Sequence, residues 1–212
     1  MAHAVDPGHA SEAEQTTTGL NHRKLLMWVF LGSDCLFFGA LIATYMVYRG
    51  QSLNGPYPID IIDVPVTTIS TFVLLCSSFA MVQALAATNA NDQRGIKIWL
   101  LVVILLGATF IGFQMYEFNA FKNEGLALGT NLFGASFFTL TGFHGAHVTL
   151  GIIWLLGLLI ISFKGRLGPA TALDVELAGL YWHFVDIVWI IIFTLLYLIA
   201  GFDVGPGPTP GG

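Results

Sequence analysis

Phe133–Phe163, FGASFFTLTGFHGAHVTLGIIWLLGLLIISF, runs without one Asp, Glu, Lys or Arg. A helix rises about 1.5 Å per residue, and a hydrocarbon core roughly 30 Å thick takes about 20 apolar residues to cross. The stretch is read as a membrane-spanning helix with length to spare. Four further windows pass the same test: Leu25–Tyr48, Val66–Ala87, Ile98–Phe118 and Leu177–Phe202. Composition agrees, with 55% of residues hydrophobic, 10% charged and a mean hydropathy of +0.75, where a soluble domain carries about 25% charge. The expected fold is an all-α integral membrane protein, a bundle of five transmembrane helices.

Outside the windows, residues 1–24 are expected to form a flexible cytoplasmic tail, with no apolar signal-peptide core, whose His3 and His9 read as solvated. Residues 25–202 make the transmembrane domain, and the Gly/Pro-rich residues 203–212 an external tail. The loop Gly50–Pro65 carries the turn formers Asn54-Gly55-Pro56. Orientation follows the basic residues. Arg23, Lys24, Arg94, Lys97, Lys164 and Arg166 fall on one side, and only Arg49 and Lys122 on the other, so the N-terminus is predicted cytoplasmic and the C-terminus external. Cys35 and Cys76, one in each of the first two windows, are too few for a zinc or iron–sulfur framework and read as small apolar residues. No glycine-rich phosphate loop or basic groove is present, which argues against nucleic acid as a partner.

Six polar residues inside the windows need a reason, because an ionisable side chain mid-membrane costs roughly 2.5 to 3.5 kcal/mol. Asp34, in Ser33-Asp34-Cys35, shares a helix face with Leu41 and Tyr45 and finds no partner on its own helix. It must be neutral or be met from another helix. Glu117 closes the third window and reads as an interfacial residue satisfied by water or by Gln114. His144 and His147 stand at i and i+3, a spacing that can chelate a metal, yet the fourth window offers no carboxylate to complete a site. A bis-histidine haem would need His183 at matching depth. Counting rises puts His147 roughly 25 Å from the cytoplasmic end and His183 only about 10 Å above Glu176. His183 and Asp186, again i and i+3, suit the pairing in which a carboxylate orients an imidazole in a metal or catalytic site, and equally a structural pair. Gly134, Gly142, Gly145, Gly151 and Gly157 mark the fourth helix as one that packs closely on its neighbours.

Phe133-Gly134-Ala135-Ser136-Phe137-Phe138, Thr141-Gly142-Phe143-His144-Gly145-Ala146-His147-Val148 and Tyr181-Trp182-His183-Phe184-Val185-Asp186-Ile187-Val188-Trp189 together resemble subunit III of haem-copper terminal oxidases, in its five-helix form. Ser33-Asp34 with Phe37-Phe38, and Tyr116-Glu117, extend the likeness over about residues 22 to 202. The longer members have seven helices with lipid held in a cleft, so part of that cleft is missing here or comes from another chain. Asp34 stands where many cytochrome c oxidase members have Glu, and Ser33-Asp34-Cys35 is similar to the quinol oxidase branch. The histidine motifs look more like the cytochrome c branch.

The resemblance implies a non-redox subunit of a proton-pumping oxygen reductase in a bacterial cytoplasmic membrane, most simply of the cytochrome c type, with a quinol oxidase as the alternative. It implies no catalytic, metal or cofactor residue in this chain. Haems and copper would lie in subunits I and II, and the partners would be subunit I directly, subunit II, a small subunit IV and phospholipid. The chain's roles would be to stabilise subunit I, bind lipid and support proton uptake. Asp34, Glu117, His144, His147, His183 and Asp186 would then make interhelical or lipid contacts. Two readings from other classes are a proton-coupled transporter using Asp34, His183 and Asp186, and a membrane metalloenzyme built on His144 and His147. The first lacks inverted repeats and proline-broken spans.

Overall fold

A computed structural model describes residues 21–48, 64–123 and 132–198. Five helices follow one another: α1 (His22–Tyr48), α2 (Val64–Asn89), α3 (Gln93–Asn123), α4 (Leu132–Phe163) and α5 (Ala172–Phe193). A 3₁₀ turn at Pro169–Thr171 leads into α5, and a π-helical turn at Thr194–Leu198 continues it. Each of the five spans is long and apolar enough to cross a membrane, as the hydropathy windows predict. Residues 1–20 of the expected tail, the loop after α1 and everything beyond residue 198 lie outside the described residues.

All five helices start before their apolar windows, and α2 and α3 also run past them, because a helix needs no hydrocarbon around it once its termini are capped. α3 has 31 residues, about 46 Å of rise against a core of roughly 30 Å, so its ends stand in the polar interface. α1 starts at His22, where the Asn21 side chain accepts a hydrogen bond from the Arg23 amide at 2.9 Å, the geometry of an N-cap. The tail expected to end at residue 24 thus gives up Arg23 and Lys24 to the helix, where they bond Asp174 and Glu176 at the start of α5.

Two tight turns close the same end of the bundle. After α2, Asn91 adopts φ 55°, and the bonds Asn91 N to Thr88 O and Asp92 N to Ala87 O complete a Schellman stop. Asp92 at once caps α3 through the Arg94 amide. After α4, Gly165 at φ 64° makes the matching stop with Ser162 O and Ile161 O. Gln93 Nε2 donates to Leu167 O at 2.6 Å and ties the two turns together. Arg23, Lys24, Arg94, Lys97, Lys164 and Arg166 therefore gather at one end, as the loop charges imply.

α5 is the centre of the bundle and α1 its edge: 61% of the apolar window is buried in the span containing α5, against 17% in α1. α5 packs on α1, α2 and α4, α3 fits between α2 and α4, and α1 touches α4 and α5. α1 buries Leu31, Phe38 and Tyr45, one residue every seven, the seam of a helix with a single neighbouring groove. Apolar side chains gain nothing by leaving lipid for protein, so close fit has to hold the helices together. The tightest fit is at Trp182 of α5, 1% exposed. A Cβ on Gly107 of α3 would lie 2.7 Å from its ring, and one on Gly151 of α4 would lie 2.8 Å from it. The indole N–H donates to Ser77 Oγ of α2 at 3.0 Å.

The Trp182 slot predicts unequal glycines. Gly107→Ala and Gly151→Ala should each destabilise the protein by about 1–3 kcal/mol through overpacking. Gly112→Ala and Gly142→Ala, whose new methyl groups meet nothing within 4 Å, should stay within roughly 0.5 kcal/mol. Thermal denaturation in a mild detergent compares the four, and equal losses would refute the slot.

Candidate functional site

The polar residues singled out from the sequence do not converge on one centre. They form separate interhelical contacts stacked through the bundle. Asp34 of α1 finds its partner on α4: His147 Nε2 lies 3.3 Å from Asp34 Oδ2, with the two side chains 16% and 12% exposed. The two atoms lie close, but Oδ2 does not meet the alignment of a hydrogen bond. The other ring nitrogen of His147, Nδ1, lies 2.7 Å from the carbonyl of Phe143 one turn earlier. Phe38 packs edge-on to the imidazole at 5.0 Å. From α5 the Tyr181 hydroxyl donates to the His147 carbonyl at 3.0 Å.

His144, one turn from His147, points to the opposite purpose. It is fully buried, stacked on Trp189 at 4.8 Å and 26°, with Phe110 of α3 edge-on at 5.9 Å. Neither ring nitrogen has a hydrogen-bond partner, so the imidazole serves as an aromatic plate. Trp189 in turn donates its N–H to Thr71 Oγ1 of α2 at 2.9 Å and meets Phe110 at 4.8 Å.

Three expectations need correction. Glu117 is turned inward and not met by water: it is 5% exposed, and the Thr67 hydroxyl of α2 donates to its carboxylate. Gln114, the expected partner, instead reaches across Gly145 and donates to Thr141 O of α4 at 2.7 Å. His183 and Asp186 do not bond each other. His183 Nδ1 is held by Ser78 Oγ of α2 at 2.6 Å. Asp186 is 3% exposed and neither oxygen has a partner in hydrogen-bond geometry, although the Ser78 hydroxyl is close enough to act on it. A one-turn spacing puts two residues on one face of a helix; the neighbouring helix decides which of them is met.

The depth argument also fails. Tyr181 reaches the His147 carbonyl and the Trp182 ring lies against Gly151, so His183 stands near the level of His147. Glu176 is four residues inside α5, and counting from it understates the height. His147 and His183 are kept apart by direction instead, one turned to α1 and the other to α2. Among the described residues no three His, Cys, Asp or Glu side chains gather as a metal site.

The sequence reading overlooked the hydroxyls of α2. Thr67, Thr71, Ser77 and Ser78 bond Glu117, Trp189, Trp182 and His183. The signal was present: Thr67, Ser70, Thr71, Ser77 and Ser78 recur at intervals of three, four and seven along one helix face.

Over residues 8–201 the sequence matches the profile of the family described as Cytochrome c oxidase subunit III. It is 41% identical to the quinol oxidase subunit 3 of Bacillus spizizenii, over 82% of this chain and 85% of that protein. It is 38% identical to the cytochrome c oxidase subunit 3 of Bacillus sp. strain PS3 over 90% and 92%, and 37% identical to that of Thermostichus vulcanus over 90% and 98%.

Double-mutant cycles in mixed micelles separate the two arrangements of α5. The Ser78–His183 cycle should give a coupling of about 0.6 kcal/mol, and no more than roughly 1.7, the range for hydrogen bonds between membrane helices. The His183–Asp186 cycle should give a coupling near zero, and a larger value there than for Ser78–His183 would restore the rejected pair.

Proposed function

This chain belongs to the cytochrome c oxidase subunit III family, and on that premise we propose that it is the non-redox subunit III of a respiratory haem-copper oxygen reductase. The family match across residues 8–201 carries the reading. The chain is a multi-pass integral membrane protein in which Asp34, Glu117, His147 and His183 meet side chains of other helices. Its work in the complex is therefore mechanical and environmental: it stabilises the catalytic subunit I, holds lipid beside it and supports the supply of protons. Haems and copper are carried by subunits I and II, and Asp34, Glu117, His144, His147, His183 and Asp186 contribute contacts between helices.

Lipid retention draws support from a groove of about 590 Å³ between α1, α4 and α5. Leu26, Met27, Phe30, Trp154 and Leu177 line it, and Arg23 stands at its mouth at the basic end of the bundle. An acyl chain suits the apolar walls and a phosphate suits the guanidinium. The basic end faces the cytoplasm of a bacterial inner membrane, a reading that the positive-inside asymmetry supports for the side.

We assign cytochrome c as the electron donor of the complex. A second reading, quinol, is favoured by the 41% identity to the Bacillus spizizenii protein against 38% to the strain PS3 protein. The purified complex should consume oxygen with reduced cytochrome c and not with a short-chain quinol; the reverse preference would establish the second reading. The chain expressed alone should show no haem absorbance and bind no copper after stringent detergent washing. Stoichiometric haem or copper in it would overturn the non-redox assignment.

A further inference from the structure

His183 has one nitrogen that its own bundle does not use. Nδ1 is bonded to Ser78 Oγ of α2 at 2.6 Å. The ring is half-buried, and Nε2 on its far side is neither enclosed nor met by any described side chain. It stands about 16 Å along α5 from Ala172, near the middle of the span, where hydrocarbon surrounds the bundle. The exposed side chains of Leu75 and Val82 on α2 and of Ile187 and Ile190 on α5 share its face and are all apolar. Polar side chains elsewhere on the outside of the bundle need nothing from beyond it. Ser33, Thr44, Thr109, Thr149 and Thr194 each donate to a carbonyl three or four residues earlier in the chain. An imidazole held by Ser78 cannot turn back in that way.

Asp186 decides what Nε2 offers. Both carboxyl oxygens are buried with no partner in hydrogen-bond geometry, and the Ser78 hydroxyl is close enough to act on them. Suppose that Nδ1 carried the hydrogen of a neutral ring and donated to Ser78, which donated in turn to Asp186. A neutral acid would then keep an O–H with no acceptor, and an ionised one would hold a negative charge against a single donor, both inside the membrane. In the opposite direction Asp186 donates to Ser78, Ser78 donates to Nδ1, every hydrogen of the chain is used, and the ring carries its own hydrogen on Nε2. If the acid's proton moves along the chain to the ring, the result is a carboxylate and an imidazolium, and Nε2 again bears hydrogen.

We infer that His183 is an intramembrane docking donor, which presents Nε2–H from the open face beside the α2–α5 seam to an oxygen on a transmembrane helix of a neighbouring subunit. Acyl chains carry no acceptor at this depth, whereas a carbonyl, hydroxyl or carboxylate oxygen of a packed helix supplies one. Leu75, Val82, Ile187 and Ile190 form the apolar surroundings against which such a helix lies. That the neighbour is another oxidase subunit rests on the function proposed above; the direction of the hydrogen bonds does not.

Two measurements on the purified complex test the inference. With p-benzoylphenylalanine in place of Ile187, irradiation should join this chain to another subunit, identified by mass spectrometry of the adduct. Adducts with lipid alone, or with a second copy of this chain, would overturn the docking site. Magic-angle-spinning NMR of the complex in lipid bilayers, with ¹⁵N-histidine in this chain, reads the ring itself through the signals lost in His183→Gln. A protonated, hydrogen-bonded Nε2 is expected, and a bare Nε2, or an N–H without a hydrogen bond, would overturn the donor whether or not the cross-linking variant assembles. If the complex proves unable to reduce oxygen, the oxidase reading fails, while the same adduct and the same Nε2–H with the subunits present uphold the docking donor. An oxygen-reducing complex that gives neither refutes the docking donor alone.

Discussion

The indole of Trp182 needs two glycines and a serine from three different helices, and the rest of the bundle is arranged around that need. Within a membrane there is no hydrophobic gain in bringing helices together, so a fold must be defined by shape and by hydrogen bonds that lipid cannot offer. Trp182 supplies both: its ring fits only where α3 and α4 present no side chain, and its N–H is satisfied only by Ser77 of α2. Seven residues on, Trp189 repeats the device with Thr71, Phe110 and His144. Two rings on one face of α5 thus set the spacing of α2, α3 and α4 at two heights, which is why α5 is the most enclosed span.

Much of this was legible before any coordinates, and the limits of legibility have physical causes. The five spans could be read because water and hydrocarbon sort residues by length and polarity alone. Their ends could not, because caps such as Asn21 and Asp92 and the left-handed Asn91 act beyond the apolar windows. For Asp34 the need for a partner on another helix followed from its own helix face, while the identity of His147 did not, since register between helices leaves no trace in a single chain. The pairing of His183 with Asp186 failed for the same reason. Spacing along α5 says what shares a face, and Ser78 on α2 decided what was bonded.

The three intramembrane histidines each meet a neighbouring helix. His144 is a flat ring between two helices, His147 faces the carboxyl of Asp34, and His183 shares a hydrogen bond with Ser78. Each histidine performs a task that no aliphatic residue can.

The ion pairs from Arg23 to Asp174 and from Lys24 to Glu176 join residues 151 and 152 positions apart. A ribosome adding about 5–20 residues per second makes the second member of each pair roughly 8–30 s after the first. For most of that interval α1 has neither the acidic partners of Arg23 and Lys24 nor the α4 groove to receive it. The first of the five spans is thus among the last to be fastened, and the biogenesis of the protein includes a waiting period in which α1 stands as a lone helix, open to capture by whatever insertion factor or partner reaches it before α5 is complete.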